Sequence, residues 1–477
     1  MNKLIFSIVI TLITAWVFIP KKIYAHGFGE RYDLPIPLSF FLIGGSLTII
    51  FSFLLLLVFL NQKHQLRLNK SYIFRIDKRS QNYLFLFTRN IVIFFSVFLF
   101  ILSIVSGYIG SNNPIDNFSS PFIWIIWWVG FGIITPILGD FWKILNPIKI
   151  IYVFIVTNIL NKPKLINKGR YEYPKSLDVW PIIISFILFA WFENVGNGSN
   201  PLTLSVIMTS YTVLSLLFMY LFGAKQWLEK GDVFSVYYHI MGSFGIFKIT
   251  QNDNLKTTKV KLRFPVIGLT ELKTPTILFV IFHVILLGTI SFDGLSETRL
   301  WTNIEILLIP SIGKALTETL GIFFVPSLFF VLLWIVCKTV SIITKEKSTE
   351  TIMTSFVFSL TPIAIAYHIA HYLSYILITG QLIIPVISDP FGYGWNIFGT
   401  SNYTLNIGII NAKNAWYSSV IIIILGHIFS VIISHVNALK VFSETSIAIK
   451  SQIPILILMI FYTALSLWII AQPIVNH

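Results

Sequence analysis

Charge is what this 477-residue chain has least of: 11% of its residues are Asp, Glu, Lys or Arg, where a soluble domain carries about 25%. That shortage leaves too few ionisable side chains to cover a hydrated surface, which excludes a cytosolic enzyme and any sizeable soluble catalytic domain. Cysteine is nearly missing too. Cys337 stands alone, so an internal disulfide and a multi-cysteine zinc or iron–sulfur site are both excluded. The chain has no phosphate-binding glycine loop, serine elbow or HExxH pair, which argues against a nucleotide-driven pump and a serine hydrolase. It also has no residue-level repeat, low-complexity tract or dividing linker.

What fills the chain instead is apolar: 55% of residues are hydrophobic and 16% aromatic, with a mean hydropathy of +0.80. Runs long enough to span a bilayer, which takes about 20 residues, fall at about 37–60, 90–110, 121–138, 179–193 and 202–222, then at about 275–290, 318–340, 354–379, 415–436 and 453–471. The expected fold class is therefore all-α, a polytopic membrane bundle of about ten helices. Ahead of it, Lys3, the apolar run Leu4 to Ile19, and Lys21, Lys22 and Ala25 resemble a secretory signal peptide, so residues 1–25 are read as that segment and 26–477 as one transmembrane domain.

The net charge of +14 would suggest nucleic acid in a soluble protein; here its placement suggests topology. With the mature N-terminus outside, 27 of the 34 basic residues fall in inner loops, and only Arg31, Arg299, Lys314 and Lys413 fall in outer ones. Positive loops stay in the cytoplasm, so both mature termini are expected on the periplasmic or extracellular face of the inner (cytoplasmic) membrane. The partners expected are the lipid bilayer and a small-molecule or metal-ion ligand, with no nucleic acid. Ile148 to Leu160 is short and flanked by basic residues and reads as an interfacial helix; Val233 to Phe247 reads as interfacial or re-entrant. Lys256 to Leu269 alternates basic and apolar residues like a short strand or extended loop. The connections 291–317 and 380–414 read as long outer covers.

Several motifs stand out: His26-Gly27-Phe28-Gly29-Glu30-Arg31-Tyr32-Asp33-Leu34-Pro35, Asn146-Pro147, Trp191-Phe192-Glu193, Gly231 to Val236, and Ser388-Asp389-Pro390-Phe391-Gly392-Tyr393-Gly394-Trp395-Asn396. In content and order they resemble a family of bacterial multi-pass membrane proteins labelled fenitrothion hydrolase. The resemblance implies hydrolysis of an organophosphorus ester and carries no assignment of catalytic residues.

Ionisable groups within spans are costly and therefore informative. His283, His368, His371 and His427 all fall inside predicted helices, and His368, His371 and Tyr375 share one helical face at i, i+3 and i+7. One reading is a zinc or copper ion held by these imidazoles, with Glu193 or Asp389 assisting catalysis and an open position for an activated water. The other is that each histidine bonds a neighbouring carbonyl or hydroxyl and joins helices. His26, if exposed by cleavage after Ala25, adds an amine and an imidazole suited to copper. Asp389 before Pro390 is also an ordinary turn initiator. Trp124, Trp127 and Trp128 read as interface-belt or packing residues. Two alternatives to a metal-dependent hydrolase stay open: a permease for copper or another metal ion, and a haem protein with histidine ligands.

Overall fold

The computed structural model describes residues 36–59, 72–74, 83–251 and 258–472. The proposed signal segment and His26 lie outside the described residues. Among the described residues the principal helices are α1 (Leu38–Phe59), α2 (Tyr83–Ile109), α3 (Pro121–Phe131 running on as Gly132–Leu138), α4 (Pro147–Phe154 running on as Ile155–Ile159), α5 (Trp180–Asn194), α6 (Pro201–Phe222), α7 (Val233–Phe244), α8 (Ile277–Ser296), α9 (Arg299–Ile312), α10 (Lys314–Thr344), α11 (Thr361–Ile378), α12 (Ala412–Val441) and α13 (Thr445–Ile470). Among the described residues ten helices are long and apolar enough to cross a bilayer, and they match the ten expected runs. The protein is an all-α polytopic bundle and an integral membrane protein.

A bilayer interior offers no water to satisfy backbone groups, so each apolar run closes its own hydrogen bonds as a helix. Where spans begin, asparagine caps set the register. Asn200 accepts from the Thr203 amide (2.9 Å) ahead of Pro201 at the start of α6, and Asn411 accepts from the Asn414 amide (2.8 Å) at the start of α12.

Burial sorts the helices into shells. The segment Thr349–Ser388, which contains α11, has 89% of its most apolar window buried and α8 has 67%, against 17% for α1 and for α2. The most buried segments are thus the ones that carry His368, His371 and His283. The Thr349–Ser388 segment also runs further than the sequence suggested. Instead of leaving the bundle at 380, it continues through tight turns at Thr379–Leu382 into Ile383–Ser388. Gln381 makes this tolerable: its amide donates to the Leu377 and Asn406 carbonyls and accepts from Tyr403 Oη and the Asn406 amide, leaving no polar end unmet. The connection expected over 291–317 is likewise mostly helix, comprising the end of α8 and then α9.

α4 has the form expected of an interfacial helix, with Tyr152 and Val156 buried and Phe154 and Ile159 exposed. α7 is buried deep in the bundle. Tyr237 and Tyr238 are fully enclosed, and Tyr238 Oη donates to the Trp127 carbonyl of α3 (3.1 Å). The alternating stretch after residue 256 does form a strand. β3 (Thr258–Leu262) lies between β1 (Tyr72–Phe74) and β2 (Phe247–Gln251), antiparallel to both. This small sheet caps the end of the bundle where α3 ends. Gly139 pairs there with Phe247 at φ 138°, and a β-carbon on it would lie 2.2 Å from the Phe247 carbonyl oxygen, so a side chain is excluded.

Candidate functional site

Three helices bring the first site together at the end of the bundle away from the sheet. Glu193 occupies the last turn of α5, Asp293 the last turn of α8, and His371 and Tyr372 the middle of α11. α5 and α8 are apolar along nearly their whole length, so burying them carries their terminal carboxylates inward. His371 Nε2 lies 2.8 Å from Asp293 Oδ2, and their side chains are only 8% and 17% exposed. Tyr372 Oη donates to the same Asp293 oxygen at 2.7 Å and stands 3.5 Å from Glu193 Oε1. Trp128 of α3 donates its indole N–H to Glu193 Oε1 at 2.9 Å. The Tyr367 ring stacks on His371, with centroids 5.8 Å apart.

α3 delivers Trp128 through its unusual form. Over Pro121–Phe131 its turns are wider than those of an α-helix, a local geometry that is rare and often found at functional sites. Trp124 and Trp127 keep the packing roles expected of them: Trp124 donates to the Gly198 carbonyl (2.7 Å), and Trp127 packs edge-on against Phe234. Trp128 differs. It is 2% exposed and donates directly to a site carboxylate, a role that no spacing in the sequence distinguishes from its neighbours'.

Chemically, the arrangement is a chain. A protonated Glu193 can donate to Tyr372 Oη, Tyr372 donates to Asp293, and Asp293 accepts from His371. A proton can be handed along such a chain with little movement of heavy atoms. A small cavity lined by Glu193, Asp293, Tyr372, Trp128 and Phe186 adjoins it, with room for about one water molecule.

The other expected site residues take no part in this hydrogen-bonded chain. His283 Nε2 lies 3.3 Å from Thr361 Oγ1, joining α8 to α11, and His427 Nδ1 meets the Ile423 carbonyl one turn back in α12 (2.8 Å). His368 packs edge-on to Trp128 and Tyr372. Asp389 braces its own turn, its oxygens accepting from the Tyr393 (2.9 Å) and Gly394 (2.6 Å) amides. That loop docks on the end of α2, where the Phe391 carbonyl accepts from the Ser111 amide (2.7 Å), and so covers this end of the bundle. Among the described residues, no group of three or more histidine, cysteine, aspartate and glutamate side chains could hold a metal ion.

A second polar cluster sits at the opposite end, beside the sheet. Asp140, which follows α3, is buried. Its Oδ2 lies 2.9 Å from His239 Nδ1 of α7 and 3.0 Å from Lys143 Nζ, and both of those side chains are about two-fifths exposed. Burial by itself would raise the Asp140 carboxyl, but the His239 hydrogen bond and the Lys143 charge outweigh it and hold the group below the usual 3.8. Its contribution to stability is therefore present above that value and lost as pH falls through the lower folded value. Nearby, burial pushes the Lys149 ammonium down to about 8 from its ordinary 10.5, with the Asp140 charge opposing the shift. Between those two values the unfolded chain holds a proton that the folded chain has released, so stability rises with pH across that window. The thermal midpoint of detergent-purified protein is expected to climb from pH 8 to pH 10, and Lys149→Met should flatten the climb. An equal climb in the variant would refute the assignment.

The chain matches no family model, no curated protein and no solved structure, so what it is rests on its own architecture: a multi-pass integral membrane protein with ten helices able to span a bilayer and a carboxylate, tyrosine and imidazole cluster buried among them.

Proposed function

We propose that this protein handles protons within the membrane, and that Glu193, Tyr372, Asp293 and His371 form the group that takes them up and releases them. The observation carrying this reading is the continuous hydrogen-bonded chain through two carboxylates, a phenol and an imidazole inside apolar helices. Ionisable groups are too expensive to keep there without a task, and Asp, Glu and His chains are the usual equipment of proton-linked membrane proteins. The adjoining cavity suits a water in the relay. By the distribution of basic residues, this end faces outward.

Infrared difference spectra of the full-length protein between acid and alkaline pH test the reading. A protonated-carboxyl band is expected to appear on acidification and to lose intensity in Glu193→Gln and in Asp293→Asn. Spectra unchanged in both variants would rule the cluster out as a protonation site.

A second reading draws on the Asp293 and His371 pair beside a water-sized cavity. A carboxylate that orients an imidazole next to a water is the arrangement of a general base, and the resemblance to the family labelled fenitrothion hydrolase supplies an organophosphorus ester as substrate class. An ester is far larger than one water, so this reading requires the cavity to open. Release of nitrophenol from a nitrophenyl phosphotriester by purified protein, abolished in His371→Gln, would support it; an equal rate in the variant would dismiss it. Elemental analysis of the same sample tests the zinc or copper expected at His368, His371, His283, His427 and His26. An optical spectrum without a Soret band would dispose of haem.

A further inference from the structure

The chain between α4 and α5 carries charge of one sign on a folded support. From Leu160 to Lys175 it holds Lys162, Lys164, Lys168, Arg170 and Lys175 against a single carboxylate, Glu172. All five cations are exposed, and among the described residues none of them enters a salt bridge. A loop that served only to keep positive charge on one side of a membrane would need no particular shape. This one is a strap with a defined course. Asn161, in the left-handed region at φ 52°, turns the chain out of α4, and the Lys162 amide donates back to the Val156 carbonyl at 2.7 Å. Further on, the Arg170 and Tyr171 amides donate to the Tyr220 and Leu221 carbonyls at the end of α6 (3.2 and 2.7 Å). Gly169 permits that approach: a β-carbon there would lie 2.2 Å from the Gly223 nitrogen. The strap then leads into the start of α5, whose far end carries Glu193.

α4 supplies an apolar half. Pro147–Ile159 reaches only about 20 Å at helical rise, short of the ~30 Å hydrocarbon core. One side of it is buried: Tyr152 Oη donates to the Met219 carbonyl of α6 (3.0 Å), and Val156 is fully enclosed. The other side leaves Phe154 and Ile159 57% and 62% exposed, and Leu160 is exposed after them, with Lys162 close behind. A short helix with an unburied apolar face beside a run of cations is the arrangement that lies in the surface of an anionic bilayer.

We propose that α4 and this strap bind anionic phospholipid of the leaflet opposite the Glu193 cluster, with Phe154, Ile159 and Leu160 among the acyl chains and the five cations on the headgroup phosphates. Charge complementarity selects the lipid, because a zwitterionic headgroup carries its own cation and offers these side chains no net attraction. The surface is independent of the carboxylate cluster and of its proton handling.

The test measures displacement of a fluorescent phosphatidylglycerol from full-length protein in a mild neutral detergent. Unlabelled phosphatidylglycerol is expected to compete at least about tenfold better than phosphatidylcholine with the same acyl chains, and the difference should vanish between about 0.05 and 0.5 M salt as the charges are screened. Lys162→Gln, Lys164→Gln, Lys168→Gln and Arg170→Gln combined should remove the preference. Lys338→Gln, Lys345→Gln and Lys347→Gln combined, which neutralise exposed cations at the end of α10, should leave it in place. If the strap variant does not fold, Lys164→Gln with Lys168→Gln decides, with the preference expected to fall about threefold. Equal competition by the two lipids, or a preference kept by the strap variants, overturns the proposal. So does displacement by inorganic phosphate or an RNA oligonucleotide at concentrations where phosphatidylglycerol fails.

Discussion

Asp293→Ala is expected to destabilise the protein by about 3–5 kcal/mol, the usual cost of removing one partner from a buried, hydrogen-bonded pair. Asp293 Oδ2 accepts from His371 and from Tyr372, so truncation strips a short hydrogen bond from each of two enclosed groups. Asp293→Asn keeps an oxygen in place and should cost distinctly less. The comparison is best read as thermal midpoints, or as resistance to a denaturing detergent, on protein purified in a mild one. Equal midpoints for Asn and Ala would mean that the carboxylate does not hold this end of α8 to α11.

Arg263→Ala should be similarly damaging at the other end, by roughly 2–6 kcal/mol, at about 1–3 kcal/mol for each buried carbonyl left without a donor. Arg263 is 9% exposed, and its guanidinium donates to the Gly242 (2.8 Å) and Gly245 (2.9 Å) carbonyls where α7 ends. It thereby ties the residue that follows β3 to the end of α7. Amide exchange over residues 242–247 is expected to accelerate in the variant before any global unfolding. Unchanged exchange there would mean that sheet pairing alone secures the junction. Lysine at this position can replace one of the two bonds and should recover part of the loss.

Both effects depend on partners that pattern alone could not pair. In the sequence His371 is conspicuous as an ionisable group within an apolar run, and Glu193 as a carboxylate closing one. Their convergence was not visible, since it depends on how α5, α8 and α11 rotate about their axes, and nearly all-round apolar helices carry no stripe that fixes rotation. For the same reason the metal set read from His283, His368, His371 and His427 remained an expectation: similar depth in the bilayer does not place side chains on facing surfaces. Asp389 shows the reverse case, a local turn signal realised as a local turn. Trp128 was indistinguishable from Trp124 and Trp127 because the wide turns that aim it are a product of packing.

The sequence by itself determined the environment and the elements: scarcity of charge demanded a bilayer, and apolar runs in a solvent without hydrogen bonds could only become helices, ten of them. It also marked the alternating stretch that became β3. Tertiary structure alone decided which costly groups share a site. Interhelical contacts in an apolar bundle are set by shape and by a few polar pairings, and those pairings joined Glu193 to Trp128, Asp293 to His371, and Asp140 to His239 across distances in sequence that no periodicity spans.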